Sequence, residues 1–305
     1  MGEDVTNQVA GPTLSAHARK NRAMWEASSD SYEQQHAEAL SADKAMAWGL
    51  WRIPEAELRV LGDVAGKDAL ELGCGAARWS IALAQQGARP VGLDVSSRQL
   101  AHARRLMDEA GVVFPLVEAS AEDVPLPDAA FDIVFCDWGA MTFCDPRRTV
   151  PEAARLLRPG GLFAFATRTP IQFLCEDVAS DRLQRHLVND YFGMTRHDWG
   201  EEVDFQVSYG EWIRLFRCNG MALRDLLRHD PRRGPRARIA TRNRPSGRGT
   251  GRWRISGGCV KRPNRGCFFL LPSAHPIRRV HQGKGDGLIE CQDRPGTAPR
   301  RLVSF

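Results

Sequence analysis

The chain has 305 residues, 43% of them apolar, which is enough for one large α/β domain with additions. No run approaches the roughly 18 consecutive apolar residues of a membrane span, and MGEDVTNQVAGPTLSAHARK at the start has no apolar leader core, so cytoplasmic residence is expected. The net charge of +5 hides a split, because His229 to Phe305 carries 18 Lys and Arg against 4 Asp and Glu, which leaves the rest of the chain acidic.

Residues 1–20 are polar and patternless and are expected to be disordered. Residues 21–62 read as helices dense in aromatic groups, with Trp25, Tyr32, His36, Trp48 and Trp51. Trp48 and Trp51 are expected to pack these helices on the rest of the fold. At Asp68 the pattern changes. DALEL (Asp68 to Leu72) is a buried parallel strand, and it runs into a turn where Gly73 and Gly75 lack a Cβ and let a ligand lie against the backbone. RWSIALA continues as a helix, and the next strand ends in VGLD at Asp94, about 20 residues past the turn, where a carboxylate can take both hydroxyls of a ribose. The nicotinamide fingerprint needs a third glycine for close packing against a pyrophosphate-bearing helix, and here that position is Arg78.

Glu71, Gly73 and Gly75 form an E-x-G-x-G string that resembles motif I of the class I S-adenosylmethionine-dependent methyltransferases. The resemblance implies that Glu71 lies near the amino acid arm of the cofactor, that Gly73, Cys74 and Gly75 form the bend beside it, and that Asp94 and Val95 flank its ribose. Ala77 departs from the pattern, since many members carry a third glycine there, and weakened binding is expected from it. SSRQLAHARRLMDEAG then reads as an amphipathic helix with a capping serine, Ser96 or Ser97, and a closing Gly111. In the loop after the third strand, Ala121 and Glu122 occupy positions that lie along the adenine in the family. PLPDAAFDIVFCD approaches the fourth strand, and EAARLLRPGGLFAFA supplies a helix, a turn and the fifth strand typical of the ubiquinone-biosynthesis-like (type 11) methyltransferases. The similarity covers about residues 60 to 170.

The family also implies that the N-terminal helical segment covers the cofactor, with Tyr32 near it. Such chemistry needs a side-chain base only when the acceptor is a hydroxyl; Asp137, at the carboxyl end of strand four, and His36 or His186 are the candidates. Asp137 is also expected to touch the cofactor. No N-P-P-[YFW] tetrad follows strand four and no Pro-Cys nucleophile is present, so CDWGAMTF suits a small organic acceptor. Tyr191, Phe192, Trp199, Phe205, Tyr209 and Trp212 fall where this fold inserts its substrate cover, which points to an apolar or aromatic acceptor. The eight cysteines show no C-x-x-C pair and no zinc spacing, so no metal site is expected, and most read as small buried hydrophobes.

GEWIRLFRCNGMALRDLLRHD is read as the last helix (Glu211 to Cys218) and strand six (Met221 to Leu227). An antiparallel strand seven should follow and slot between strands five and six. Cys267 to Leu271 could take that place only across a loop of about 40 residues, so the sheet is expected to be incomplete at its C-terminal hairpin. Residues 229–305 form a basic tail rich in Arg, Gly and Pro, read as disordered, as a nucleic-acid-binding arm or as a shifted reading frame. The expected architecture is therefore a Rossmann-like doubly wound α/β core over 63–228 under a helical cover over 21–62. The expected function is transfer of a methyl group from S-adenosyl-L-methionine to a small-molecule acceptor. Alternatives are a cofactor-binding protein without turnover and an RNA methyltransferase that uses the tail. Oligomeric state is left open.

Overall fold

The computed structural model describes residues 14–36, 45–177, 182–228 and 265–271. Seven strands form its main sheet: β1 (Asp68–Leu72), β2 (Arg89–Asp94), β3 (Leu116–Glu118), β4 (Phe131–Asp137), β5 (Leu157–Ala166), β6 (Met221–Arg228) and β7 (Arg265–Leu271). The spatial order is β6-β7-β5-β4-β1-β2-β3, and every neighbouring pair is parallel. A parallel sheet is covered on both faces, so its strands read as continuous apolar runs rather than alternating ones. The side chains nevertheless split by parity. Val134, Cys136, Phe163 and Phe165 join a layer with Trp212 and Phe216, whereas Ile133, Phe135, Ala164 and Ala166 join Trp48, Trp79 and Leu83 on the other face.

The chain steps outward from β1 through β2 to β3, then returns to place β4 on the other side of β1. This reversal makes the carboxyl ends of β1 and β4 the crevice in which such sheets bind ligands. Helices α1 (Ala16–His36), α2 (Arg78–Gln85), α3 (Ser97–Ala110), α4 (Gly139–Phe143), α5 (Pro146–Leu156), α6 (Pro170–Cys175) and α7 (Tyr209–Cys218) surround the sheet. Helix α3 starts and stops on the signals in its sequence: Ser96 Oγ accepts from Gln99 N, and Gly111 closes it at φ 65°. Asp145, Thr169 and Ser208 cap α5, α6 and α7 in the same way.

Three expectations change. The ordered cover begins at Ala16, inside the stretch read as disordered. Past residues 37–44, which lie outside the described residues, Ala47–Trp48 pairs with Ile53–Pro54 as an antiparallel ribbon instead of the expected helix, followed by a single helical turn, Glu55–Leu58. Gly49 and Arg52, both at positive φ, turn the ribbon, and Pro54 has no N–H for a helix to continue through. Finally, Arg265–Leu271 fills the slot between β5 and β6, but it runs parallel to both, so among the described residues no antiparallel hairpin closes the sheet. A parallel neighbour needs a long crossover connection, and residues 229–264, which lie outside the described residues, span the gap. The rest of the basic tail, 272–305, also lies outside them.

Candidate functional site

At the end of β1 the chain bends sharply. Gly73 N and Cys74 N both donate to Leu93 O, at 2.7 and 2.9 Å, which folds the bend back onto β2. Gly73 sits at φ 68°, and a Cβ there would stand 2.4 Å from Ala140 N at the start of α4, just past β4. The reciprocal position is as tight, since a Cβ on Gly139 would meet Gly73 O at 2.5 Å. Backbone therefore packs on backbone across the crevice, and only glycine permits it. Gly75, at φ 52°, carries the bend toward β2, and Ala77 also adopts a left-handed conformation, φ 55°, as the N-cap of α2. Alanine thus holds the backbone shape that a third glycine would adopt freely, at a cost of about 1–2 kcal/mol.

Asp94 faces this bend from the end of β2. Its Oδ2 accepts from Gly75 N at 2.8 Å and its Oδ1 from Ser96 N at 2.9 Å, with Val95 N also bonded to the carboxylate, which has about four acceptor sites. Burial raises its pKa, opposed by those backbone N–H groups. Val95, half-buried, follows it. Glu71 is buried and accepts from Ser80 N and Oγ, at 3.0 and 2.6 Å. Burial, reinforced by Asp137 and Asp94, outweighs those bonds and pushes its carboxyl up to about 8, so it is mostly protonated at neutral pH. Cys74 packs its thiol against Gly92, and burial raises its pKa well above the ordinary thiol value.

Helix α1 lies over these strand ends and is held by polar groups. From its N-terminus, His17 pairs with Glu122, Arg22 with Glu118, Asp30 with Arg98 and His102, and Glu33 with Arg78. Between them, Glu26 accepts from Ser97 N at 2.7 Å and caps α3 from outside. The buried residues of α1 are Ala18, Asn21, Ser29 and Glu33, and its aromatic contacts with the rest of the fold include Trp25 on Phe143, at 5.6 Å, and His17 on Phe205, at 4.9 Å. Glu122 has a structural task here: its carboxylate also takes Ser15 Oγ, Asp145 N and Arg148. Ala121 is buried in the main core.

Three buried polar atoms have no hydrogen-bond partner: Gln99 Oε1, beside the bend, Arg78 Nε, at the start of α2, and Ser29 Oγ, on α1. Gln99 Oε1 lies 3.3 Å from where a Gly75 Cβ would stand. Ser29 is about one helical turn from both Glu26 and Glu33, the two residues that hold the starts of α3 and α2. Buried polar groups are normally paired, and an unpaired set on α1, α2 and α3 is what a hydroxylated, nitrogen-bearing ligand would satisfy. Sequence reasoning missed Ser29, Arg78 and Gln99 as a group, because each is an ordinary helix residue until α1 brings them together.

Asp137 ends β4 on the other side of the crevice. The ribbon reaches it: Gly49 N donates to Oδ1 at 2.7 Å, and Arg52 Nη1 lies 3.9 Å from Oδ2. Burial pushes its carboxyl up to about 6, against the pull of Gly49 and Arg52. Tyr32 belongs to the same group, since burial and the charges of Glu33 and Asp137 raise its pKa, with Arg52 and Arg78 opposing them. His36 does not join it: its ring stacks on Tyr32 at 4.3 Å and Nδ1 contacts Tyr32 O, all within α1. His186 is exposed. Of the aromatic set after β5, Trp199, Phe205 and Trp212 are buried in packing, whereas Phe192 is 90% exposed. Trp48 packs on Trp79 at 4.6 Å, as expected. Among the described residues no group of His, Cys, Asp or Glu could hold a metal ion, and no helix is long and apolar enough to cross a membrane.

Residues 70–165 match the family model of a methyltransferase domain. The chain is 39% identical over 113 residues to a demethylmenaquinone methyltransferase of Clavibacter sepedonicus, covering 37% of this chain and 44% of that one. It is also 39% identical over 105 residues to a ubiquinone biosynthesis O-methyltransferase of Aromatoleum aromaticum, covering 34% and 45%. The chain thus spans about half the length of the curated relatives it matches. Among solved structures it resembles an S-adenosylmethionine-dependent methyltransferase of Mesorhizobium loti, with 25% identity, a TM-score of 0.49, and coverage of 60% of this chain and 83% of that one.

Proposed function

We propose that this chain, whose residues 70–165 match the family model of a methyltransferase domain, is a class I S-adenosylmethionine-dependent methyltransferase that transfers a methyl group from that cofactor to a small-molecule acceptor. The observation that carries the reading is the bend itself: Asp94 faces Gly75 across the β1 and β2 ends, and Ser29, Arg78 and Gln99 leave buried polar atoms unpartnered. Those residues fit a nucleoside with an amino acid arm. Asp94 would take the ribose hydroxyls on its carboxylate, and the Gly73 to Gly75 backbone would lie beside the arm. Glu71, largely neutral, would support the bend through Ser80. Bound S-adenosylmethionine supplies a methyl group made electrophilic by the sulfonium. The protein aligns the acceptor, excludes water under α1 and removes a proton where the acceptor is a hydroxyl.

Asp137 is the proposed base. Its position beyond β4 and its carboxyl at about 6 make it half-ionised near pH 6 and mostly ionised at neutrality, close to the ideal for proton transfer. The two relatives named above are quinone-pathway enzymes by their printed descriptions, which supports a small, ring-bearing acceptor here. Free Cys74, Cys136, Cys144, Cys175 and Cys218 support residence in the cytoplasm. A screen with cofactor labelled on its methyl group, run on a small-molecule extract and on RNA, tests the reading. Label in an extractable small molecule supports it, and label only in RNA would replace it with the nucleic-acid alternative.

A further inference from the structure

The corner after β4 carries strain. Trp138 adopts φ 70° and ψ −82°, the region of the rare γ-turn, which a bulky residue enters only at a cost. The surroundings fix it there: Trp138 N donates to Ala166 O at 3.0 Å, and Thr142 Oγ1 donates to Trp138 O at 3.1 Å. Strain of this kind concentrates where a side chain must be aimed. The aimed group is the indole N–H, which is buried and has no acceptor. A buried tryptophan usually satisfies that N–H.

Gly49, at the tip of the ribbon, stands between this indole and Asp137. Its N–H occupies Asp137 Oδ1, and a Cβ built on it would find Trp138 Nε1 at 3.8 Å and no other atom within 4 Å. The base of the ribbon is fixed, because Trp48 is buried against Trp79 and donates its Nε1 to Glu55 at 2.6 Å. The tip is different: Gly49 and Arg52 both have positive φ, and Leu50 between them is exposed. Arg52 N donates to Gly49 O at 3.0 Å, so the tip is a hydrogen-bonded turn that can be displaced as a unit, and its polar contacts with Asp137 include the Gly49 N–H and the Arg52 guanidinium.

We infer that the Gly49 to Arg52 tip holds the acceptor's place, and that an acceptor with a hydroxyl beside a carbonyl oxygen displaces it, giving its hydroxyl hydrogen to Asp137 and taking the Trp138 N–H on the carbonyl. This rests on the methyltransferase reading above and extends it to the acceptor. Asp137 now receives an N–H from the tip and needs a donor in exchange. Trp138 is donor only, so its partner must be an oxygen with a lone pair, and a carbonyl brings no hydrogen of its own to clash with the N–H. Trp138 is thus a specificity-determining residue, and Asp137 alone handles the proton.

The test uses the full chain labelled with 15N and saturated with S-adenosylhomocysteine, whose binding is first measured by calorimetry. The Trp138 indole resonance is assigned by its loss in Trp138→Phe. Salicylamide, with a hydroxyl beside a carbonyl, is titrated against phenol, which lacks the carbonyl. Salicylamide is expected to move the Trp138 N–H resonance downfield, and Trp138→Phe to lower salicylamide affinity about tenfold with phenol affinity and melting unchanged, the loss of one hydrogen bond. A resonance that stays still while salicylamide binds, or a preference for salicylamide over phenol that survives in Trp138→Phe, overturns the inference. Failure of both probes to bind the S-adenosylhomocysteine complex also overturns it and leaves the methyltransferase reading standing. Failure of S-adenosylhomocysteine itself to bind removes that reading, and the inference with it.

Discussion

Asp137 and Glu71 both hold protons that the unfolded chain would release, because burial raises their carboxyls to about 6 and about 8. Where the folded state binds more protons, stability falls as pH rises, so these two groups are most favourable below pH 4 and lose that contribution between about pH 4 and pH 8. Glu71→Gln keeps an acceptor for Ser80 and cannot ionise; its melting temperature should run parallel to the parent's below about pH 4 and fall less steeply between about pH 5 and 8. An identical slope in thermal scans would mean that Glu71 is already charged. For Asp137 the readout is the rate: methyl transfer to a hydroxyl should rise through about pH 6 as the carboxylate forms, and Asp137→Asn should remove that limb. Gly73→Ala would press a Cβ onto Ala140 N at 2.4 Å in a left-handed backbone, and urea titration should show a loss of roughly 2–4 kcal/mol. Gly73, Gly75 and Asp94 were legible in the sequence because residue type and spacing alone define such a bend. Trp138 was not, since backbone strain and an unpaired N–H leave no mark on residue identity.

Helix α1 shows what one element adds. It docks by ion pairs and caps as well as by Trp25 on Phe143 and His17 on Phe205, and the polar part of its hold should weaken as salt shortens the screening length from about 10 Å at 0.1 M to about 3 Å at 1 M. Amide exchange in residues 16–36 should speed up with salt while β1 stays protected; equal protection at both salts would mean apolar docking. Glu33→Ala leaves the partly buried Arg78 without its carboxylate, at a cost of about 1–3 kcal/mol, and α1 should be the first segment to open. The helices with strong caps and apolar periodicity, such as α3, could be read from sequence to within a residue. The Ala47–Pro54 ribbon could not, because its two-residue strands are set by Trp48 finding Trp79 and by Gly49 meeting Asp137, both long-range contacts.

Over the whole molecule, the order of β1 to β5 and the switch point between β1 and β4 follow from the succession of strand, glycine turn and helix along the chain. The far edge does not, because β7 comes from a distant stretch and its direction is decided by the partners it finds, β5 and β6. Ending the chain at Arg228 would leave both of those strands short of a neighbour and should lower solubility in a concentration series. Sequencing the gene beyond Arg228 shows whether the basic tail is read in frame.

S-adenosylmethionine is proposed to lie across the β1 and β2 ends with its ribose on Asp94. Calorimetric titration of the intact protein and of Asp94→Ala with that compound tests it most directly. One-to-one binding, weakened by about 1–3 kcal/mol in the variant through the loss of charge-assisted hydrogen bonds, is the predicted result. Absence of binding to the intact protein, or equal affinity in the two, would contradict it.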